Sequence, residues 1–292
     1  MYFYFYLLDR GDRLGANIIN YIAQILYAYN NKYIIKFSKE KENYRYYNSM
    51  FVKTLFNYIE YYNEELKKNV ININDPCEEK CVFTNVCDYI NSISIVLKNI
   101  KSDYITFFNN NIYNNIKSDF LNLYSLTNIP FDVNKTILVH LRLEDVANKP
   151  DYDGSICSNY YKNKIKNNED CILEFYDTIN NQAPLSKIKL DNIINKAKTE
   201  FPDYKVILIT SPGSDTSFLN YEVIKSNDEN LDLYFLTMCN VTILSRSTYA
   251  LSSMFFNDKK VKTYIPLWGH FVCCGLDTIY DKNDMSKIEY FY

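Results

Sequence analysis

Short apolar runs alternate with segments of helical spacing in both halves of this 292-residue chain. The aromatic run Tyr2–Leu8 is typical of a strand buried on both faces. A polar turn at Asp9–Gly15 leads to Asn17–Asn30, where apolar residues recur at helical spacing, and Tyr33–Phe37 returns to strand character. This strand–helix–strand unit predicts a parallel sheet with a right-handed crossover, and therefore an α/β fold.

The second half of the chain shows the same alternation over a longer stretch. Four strands are predicted, at Thr136–Leu141, Lys205–Thr210, Val241–Leu244 and Val261–Pro266. Three helices are predicted between them, at Leu190–Glu200, Leu231–Cys239 and Thr248–Phe256. Strands and helices at this spacing are typical of a Rossmann-like sheet.

The region between the two halves is less regular. Its pattern predicts two helices and a short strand, at Tyr46–Leu66, Ile90–Phe108 and Val70–Ile73 respectively. Pro130 and the polar segment Asp132–Lys135 form the clearest boundary in the chain. We therefore expect two Rossmann-like domains, at residues 1–133 and 134–292.

Composition excludes several classes of protein. With 47% hydrophobic and 23% charged residues, the chain can bury a core and does not have the composition of a disordered protein. Its net charge of −3 argues against a nucleic-acid-binding protein, which usually presents a basic face. The 29 tyrosines are typical of coding bias in an AT-rich genome rather than of a tyrosine-specific function.

Cysteine usage and the start of the chain bear on location. Cys77, Cys81 and Cys87 form a cluster, but their spacing fits no common zinc pattern and favours reduced thiols. No basic segment precedes the apolar start, and that run is too short to cross a bilayer. We therefore expect a cytoplasmic protein with no signal peptide and no transmembrane segment.

The strand predicted at Thr136–Leu141 ends in a charged motif that contains His140, Arg142, Glu144 and Asp145. In open α/β sheets, ligands bind beyond the carboxyl ends of strands. Alternation places His140 and Arg142 on one side of the strand and two leucines on the other. Because arginine keeps its charge and holds phosphate oxygens bidentately, the motif indicates an anion site. An ordinary ion pair of Arg142 with Glu144 or Asp145 explains the motif equally well.

A second candidate site follows the strand predicted at Val241–Leu244. Ser245, Ser247 and Thr248 lie at a predicted helix start, where hydroxyl groups and backbone N–H groups can bind an anion. Arg246 either adds charge there or faces solvent. Plain helix capping by Ser247 or Thr248 is the simpler explanation of the pattern.

A third candidate is the turn between the first strand and the first helix, which contains Asp12, Arg13, Gly15 and Asn17. It also lies at the end of a strand, where ligands bind in such sheets. It lacks the three-glycine dinucleotide fingerprint, so the indication of NAD binding is weak. A simple tight turn at Gly15 is the alternative.

Two weaker features lie elsewhere. Asp151 and Asp153 have the Asp-x-Asp spacing used in metal–diphosphate sites, which leaves a metal-dependent transferase as a third and weaker hypothesis. Chance in a polar loop is the better explanation of that spacing. His270 follows a Trp-Gly pair and could contact a substrate, although a structural histidine is the better interpretation.

Taken in order, the three candidate sites resemble the fucosyltransferases of glycosyltransferase family 11 and the related α-1,6- and protein O-fucosyltransferases. Arg13-Leu-Gly-Ala-Asn17 is similar to their Gly-x-Leu-Gly-Asn-Gln, and His140-Leu-Arg-Leu-Glu-Asp145 to their His-x-Arg-Arg-Gly-Asp. The most specific similarity begins at Asp232 and resembles the pattern Asp-Leu-x-x-Met-x-x-Cys-x-x-x-Ile-x-Ser-x-Ser-Thr-Phe, with leucine at the methionine position and tyrosine at the last position.

The resemblance implies a GT-B fold, in which two Rossmann-like domains face a cleft, and inversion at the sugar carbon without an essential metal. The co-substrate would be a nucleotide sugar, with GDP-fucose favoured and no separate cofactor, and the acceptor would be a glycan hydroxyl. Arg142 would hold the β-phosphate, with further donor contacts from His140, Asp232, Ser245, Ser247 and Thr248. The acceptor side would include Asp12, Arg13, Gly15 and Asn17. The candidate catalytic bases are Asp145, Glu144 and Asp12.

The chain also departs from the family pattern. Leu143 stands where the family has a second arginine, Glu144 replaces a glycine, and Leu251 and Ser252 replace two tryptophans. The loss of one cation weakens the specific expectation of GDP-fucose and leaves another nucleotide sugar open as the donor. The missing arginine and the missing tryptophan pair support an alternative, in which a protein of the same fold binds a nucleotide sugar as a scaffold with weak or no catalysis. The acceptor, the linkage and the oligomeric state do not follow from the sequence.

Overall fold

In the computed structural model of the protein, residues 3–9, 13–68, 78–80, 110–125, 129–143, 184–257, 260–266 and 287–291 are described. The chain divides into two compact units, Met1–Leu126 (unit 1) and Thr127–Tyr292 (unit 2). Each unit contains a parallel sheet with helices, so the chain has the predicted α/β character. The expected domain boundary, between residues 133 and 134, lies seven residues beyond the division between the units.

Unit 1 begins with the predicted strand–helix–strand unit. Its strands are Phe3–Leu7 (β1), Ile34–Phe37 (β2) and Glu78–Lys80 (β3), and they form a parallel sheet in the order β2-β1-β3. Its described helices are Leu14–Asn30 (α1), Met50–Lys68 (α2) and Asn110–Leu123 (α3), with a short 3-10 turn at Lys41–Asn43.

Helix α1 begins earlier than the sequence pattern predicts. The expected turn ran through Gly15, but the helix starts at Leu14, so the last two residues of that turn are helical. Leu14 and Ala16 are buried, and burial of these apolar side chains favours the additional turn of helix. The carbonyl of Arg13, the residue before the helix, accepts from both the backbone N–H and the side-chain amide of Asn17, over 3.0 and 3.1 Å.

Two amide side chains complete the hydrogen bonds of the strands in unit 1. Gln24 of α1 accepts from the N–H of Leu8 over 2.8 Å and donates to the same residue's carbonyl over 2.9 Å. Asn63 of α2 makes the equivalent pair with Ile35, at 2.9 and 2.7 Å. Because β2 lies at the edge of the described sheet, Asn63 occupies the place of a further strand.

We expect Asn63→Ala to destabilise unit 1 by about 1–3 kcal/mol, because the N–H and C=O of the buried Ile35 lose their partner. Denaturant unfolding measures the loss, and hydrogen exchange at the Ile35 amide locates it. Asn31→Ala is the matched control, since the exposed Asn31 amide donates only to the Tyr27 carbonyl at the end of α1. Unchanged exchange at Ile35 in Asn63→Ala would contradict this role.

The described part of unit 2 contains six parallel strands. They are Thr136–His140 (β4), Lys205–Thr210 (β5), Glu222–Lys225 (β6), Val241–Ile243 (β7), Lys262–Pro266 (β8) and Ile288–Phe291 (β9). The described helices are Lys187–Glu200 (α4), Glu229–Met238 (α5) and Thr248–Ser252 (α6), followed by a 3-10 turn at Ser253–Phe256. The strand order is β6-β5-β4-β7-β8-β9. With β4 counted as the first strand, this is 3-2-1-4-5-6, the order of the Rossmann fold.

The core of unit 2 fixes the orientation of β4. Alternate residues from Ile137 to Leu143 pack in one hydrophobic cluster with four residues of α4, namely Leu190, Ile193, Ile194 and Ala197. The remaining residues of the strand and its extension, including His140 and Arg142, therefore point to the opposite face. This matches the alternation expected from the sequence.

Several elements differ from the sequence-based predictions. Val261–Pro266 was expected to hold the last strand, but β9 follows β8 and pairs with it in parallel. Strand β6 was not predicted, because its four residues begin and end with exposed charges at the edge of the sheet. Helix α3 was not predicted, because its segment is rich in asparagine and contains few apolar residues. The helix predicted at Ile90–Phe108 and the strand predicted at Val70–Ile73 lie outside the described residues.

Among the described residues, no helix combines the length and apolarity that crossing a bilayer requires.

Candidate functional site

The strand order of unit 2 reverses between β4 and β7. These two strands pair in parallel, with Val139 opposite Ile243, so they end side by side. In an open parallel sheet, the connections at such a reversal leave in opposite directions and open a crevice at the carboxyl ends of the strands. The residues at this point are Leu141–Leu143 after β4 and Leu244–Ser247 after β7, which are the first and second candidate sites of the sequence analysis.

His140 and Ser245 are in direct contact at this reversal. The imidazole Nδ1 lies 2.6 Å from the hydroxyl oxygen of Ser245, and both residues are buried. The ring of Tyr249 lies against the imidazole, with 5.6 Å between ring centroids. Burial lowers the pKa of His140 to about 3, and the positive charge of Arg142 contributes to the shift. The imidazole is therefore neutral at pH 7.

Arg142 is half-buried and follows His140 on the same face of the sheet. The next residue, Leu143, is buried in the hydrophobic cluster with α4. The position where the family motif has its second arginine therefore faces the core. Glu144 and Asp145 lie outside the described residues, so their predicted ion pairs with Arg142 stay predictions.

The turn after β7 caps the short helix α6. Ser247 is the N-cap residue, and its hydroxyl oxygen accepts from the backbone N–H of Tyr249 over 3.2 Å, which confirms the capping interpretation. Thr248 is half-buried and opens α6, which has only five residues. Arg246 is 2% exposed, so the alternative in which it faces solvent is wrong.

Asp232 lies in the first turn of α5 and is 9% exposed. Its Oδ1 atom is buried and has no hydrogen-bond partner among the described residues. Burial raises the pKa of Asp232 to about 7, a hydrogen bond from Ser226 lowers it, and repulsion by Asp228 raises it further. A buried acceptor without a partner is a costly feature that a hydrogen-bond donor of a ligand can relieve.

Tyr249 lies between His140, at the end of β4, and the first turn of α5, which contains Asp232. Its ring contacts His140, and its hydroxyl donates to the carbonyl of Glu229 at the start of α5. Burial raises the pKa of Tyr249, and the negative charge of Asp232 adds to this increase. The neutral imidazole, the half-buried guanidinium and the buried carboxyl group therefore belong to one connected set of residues.

The carboxyl end of α5 is held by two buried side chains. Asn257 donates to the carbonyl of Thr237, and the Lys260 amine donates to the carbonyls of Leu236 and Cys239, at 2.6 and 2.9 Å. Burial lowers the pKa of Lys260 to about 7. These bonds satisfy the last backbone groups of the helix and fix α5, which carries Asp232 at its other end.

The third candidate site is described in part. Arg13 is exposed and precedes α1, and Gly15 lies in the first turn of that helix. Asn17 is fully buried, and its side-chain amide donates to the Arg13 carbonyl, so its role at the acceptor stays a prediction. Asp12 lies outside the described residues.

Sequence analysis missed a polar cluster around Asp9, just beyond the end of β1. The carboxylate accepts from the Tyr21 hydroxyl and the Lys39 amine, each over 2.8 Å, and from the backbone N–H of Arg45 over 3.1 Å. Burial alone would raise the pKa of Asp9, but these hydrogen bonds lower it below its ordinary value. The sequence shows an acidic residue at the end of a predicted strand. Its hydrogen-bond partners lie 12 to 36 residues away in the chain, so no local pattern indicates the cluster.

The weaker sequence features contribute no described site. Asp151, Asp153, His270 and the Cys77–Cys87 cluster lie outside the described residues. Within the described part of the chain, no group of three or more His, Cys, Asp or Glu side chains could hold a metal ion. Cys239 is a buried thiol, and burial raises its pKa to about 12.

Comparisons with protein-family models, curated proteins and solved structures found no match to this chain. What the residues at the reversal can do chemically therefore follows from their geometry. Arg142 supplies a positive charge for an anionic group, His140 supplies an uncharged polar nitrogen, and Asp232 supplies an acceptor. A ligand that carries both an anionic group and N–H or O–H donors complements this set.

We expect Asp232→Asn to stabilise the protein at pH 8 and to have little effect at pH 4.5. The folded carboxyl group titrates near pH 7 and the unfolded group near pH 3.8, so stability falls as the pH rises through this interval. Asparagine does not ionise, so the variant keeps the free energy of unfolding that Asp232 loses at high pH. Each kcal/mol kept raises Tm by roughly 2–4 °C in a domain of this size. Asp203→Asn, at an exposed position, is the control. An equal change at both pH values would contradict a buried charge at Asp232.

Proposed function

We propose that the protein is an inverting, metal-independent glycosyltransferase of the fucosyltransferase-like, GT-B type. It would transfer a sugar from a GDP-sugar, with GDP-fucose favoured, to the hydroxyl group of a glycan. Unit 2 would bind the donor and unit 1 the acceptor. The observation that carries the proposal is the position of Arg142 and the Ser245–Ser247 turn, which leave adjacent strands at the reversal of strand order.

Arg142 is the group we assign to the leaving diphosphate. In a direct displacement, negative charge develops on the diphosphate as the bond to the sugar breaks, and a fixed cation stabilises that charge. A guanidinium keeps its charge at all relevant pH values and binds phosphate oxygens in a planar, bidentate geometry. The half-buried position of Arg142 supports this role, because a partly desolvated cation interacts more strongly than one in bulk water.

Asp232 supports a guanine base in the donor. Guanine offers a ring N–H and an adjacent amino group, which together match the two oxygens of one carboxylate. Because Oδ1 of Asp232 has no partner among the described residues, a base that donates to it would remove an existing cost. A base without this pair of donors would leave the oxygen unsatisfied, so the site should discriminate against it.

The catalytic base and the acceptor contacts stay predictions from the sequence. Direct displacement requires a group that accepts the proton of the acceptor hydroxyl. Asp145, Glu144 and Asp12 are the candidates, and all three lie outside the described residues.

A specific observation favours a second candidate function. Leu143 occupies the position of the second arginine of the family motif, and its side chain is buried against α4. With one cation fewer at the diphosphate, the protein would stabilise the transition state less well while it still binds the donor. In this alternative the chain is a nucleotide-sugar-binding or scaffold protein with weak or no catalysis.

We expect Arg142→Ala to weaken GDP binding by about 10- to 100-fold, as for the loss of hydrogen bonds to a charged group. Arg142→Lys keeps the charge but loses the planar fork, so its affinity should be intermediate. Calorimetry with GDP, UDP and dTDP in EDTA measures both effects and the preference for guanine. The exposed Arg45, in unit 1, provides Arg45→Ala as the control. Unchanged GDP affinity in Arg142→Ala would remove the proposed role of this residue.

We expect sugar transfer from a GDP-sugar to a glycan acceptor to persist in excess EDTA. The measurement uses a panel of GDP- and UDP-sugars with several glycan acceptors, and the anomeric configuration of the product tests inversion. Activity that collapses on chelation and returns with manganese would contradict the metal-independent mechanism. Tight GDP binding with neither transfer nor donor hydrolysis would support the scaffold alternative instead.

A further inference from the structure

The contact between His140 and Ser245 has a defined hydrogen-bond requirement. Ser245 is 3% exposed, and within the described part of the chain its hydroxyl group has one side-chain neighbour at hydrogen-bond distance, Nδ1 of His140. The imidazole likewise has this single described hydrogen bond, and its other nitrogen, Nε2, is not among the buried polar atoms that lack a partner. The hydrogen atom of the Ser245 hydroxyl therefore has one described acceptor, which is Nδ1.

Of the two neutral forms of the imidazole, one satisfies this requirement. If Nδ1 carried the proton, it would donate to the Ser245 oxygen, and the buried hydroxyl hydrogen would have no acceptor among the described residues. A buried donor without a partner costs about 1–3 kcal/mol. If Nε2 carries the proton, the hydroxyl donates to Nδ1 and both groups are satisfied.

We infer that Ser245 donates to Nδ1 of His140 and thereby holds the neutral imidazole with its proton on Nε2, as a hydrogen-bond donor to a phosphate oxygen of the ligand. Ser245 is then a positioning residue, because the hydroxyl hydrogen that would bind a phosphate oxygen is already donated to Nδ1 of His140. His140, and not Ser245, is the polar group that contacts the anion beside Arg142.

A neutral donor suits this position for an electrostatic reason. A second full positive charge next to Arg142 would be repelled by it and would have to be desolvated, and burial already opposes protonation of the ring. A neutral N–H donates to the anion without either cost. The hydrogen bond at Nδ1 sets the direction in which Nε2 points, and the ring of Tyr249 lies beside the imidazole, with 5.6 Å between ring centroids. That the anion is a diphosphate rests on the function proposed above.

The position of the proton can be measured directly. The chain has two histidines, His140 and His270, so labelling with ¹⁵N-histidine gives two imidazole spin systems, and His270→Gln assigns them. In a long-range ¹H–¹⁵N correlation spectrum at pH 7, we expect His140 to show the pattern of a neutral ring with the proton on Nε2. A pattern with the proton on Nδ1, or that of a charged imidazolium, would overturn the inference.

Three serine variants separate positioning from general structure. Ser245→Ala should convert the His140 signal into an averaged mixture of both neutral forms, and Ser245→Thr, which keeps the hydroxyl, should restore a single form. Ser253→Ala is the matched control, because Ser253 is also fully buried but donates to the carbonyl of Ala250 over 2.7 Å. If Ser245→Ala folds with its His140 proton still confined to Nε2, Ser245 does not set the tautomer.

The ligand is tested with GDP and with inorganic pyrophosphate in the same labelled protein. Binding should shift the Nε2 and attached-proton signals of His140, and Ser245→Ala should weaken GDP binding by about five- to tenfold, as for one neutral hydrogen bond. If calorimetry detects binding and the Nε2 signals do not move, His140 is not the anion contact. If neither compound binds, the proposed function fails together with the phosphate assignment, while the free-protein spectrum still decides the role of Ser245.

Discussion

The parallel pairing of β4 with β7 is the interaction on which the candidate site depends. It joins two strands that are about 100 residues apart in the chain, and it brings the segments that follow them to the same edge of the sheet. Neither segment forms a site alone: one supplies an imidazole and a guanidinium, and the other supplies a hydroxyl group and a capped turn. The predicted ion pair of Arg142 and the helix cap at Ser247 would each explain one segment, but the pairing of β4 with β7 places the two segments side by side.

Burial of the leucines is what orients the polar residues. Leu141 and Leu143 extend the apolar face of β4 past its last strand residue and pack with α4. Because side chains alternate along an extended segment, this packing directs His140 and Arg142 to the other face. The same constraint applies at position 143, where a charged side chain would lie in the hydrophobic cluster and could not be solvated. The departure from the family motif is therefore consistent with the local packing of this chain.

Sequence patterns predicted the interior of the fold better than its edges. Strand β5 has the bounds that its continuous apolar run predicts, Lys205–Thr210, because an interior strand of a parallel sheet is buried on both faces. The edge strands β6 and β9 carry charges, which removes that signal, and Glu289 of β9 forms ion pairs with Lys196 and Lys262. At the site, the sequence indicated the residue types, but the contact of His140 with Ser245 depends on a strand order that no local pattern encodes.

The carboxyl groups of Asp9 and Asp232 show how hydrogen bonding separates a structural role from a ligand-binding role. Asp9 accepts from Tyr21, Lys39 and a backbone N–H, and its pKa is lowered because the ionised form is satisfied within unit 1. Asp232 is buried with one oxygen unpaired in the described structure, and its pKa is raised because burial desolvates the ionised form and Asp228 repels it. A group of the first kind already stabilises the fold, so a ligand would have to displace existing bonds. A group of the second kind gains a hydrogen bond when a ligand donates to it. For this reason we assign the nucleotide-sugar site to unit 2.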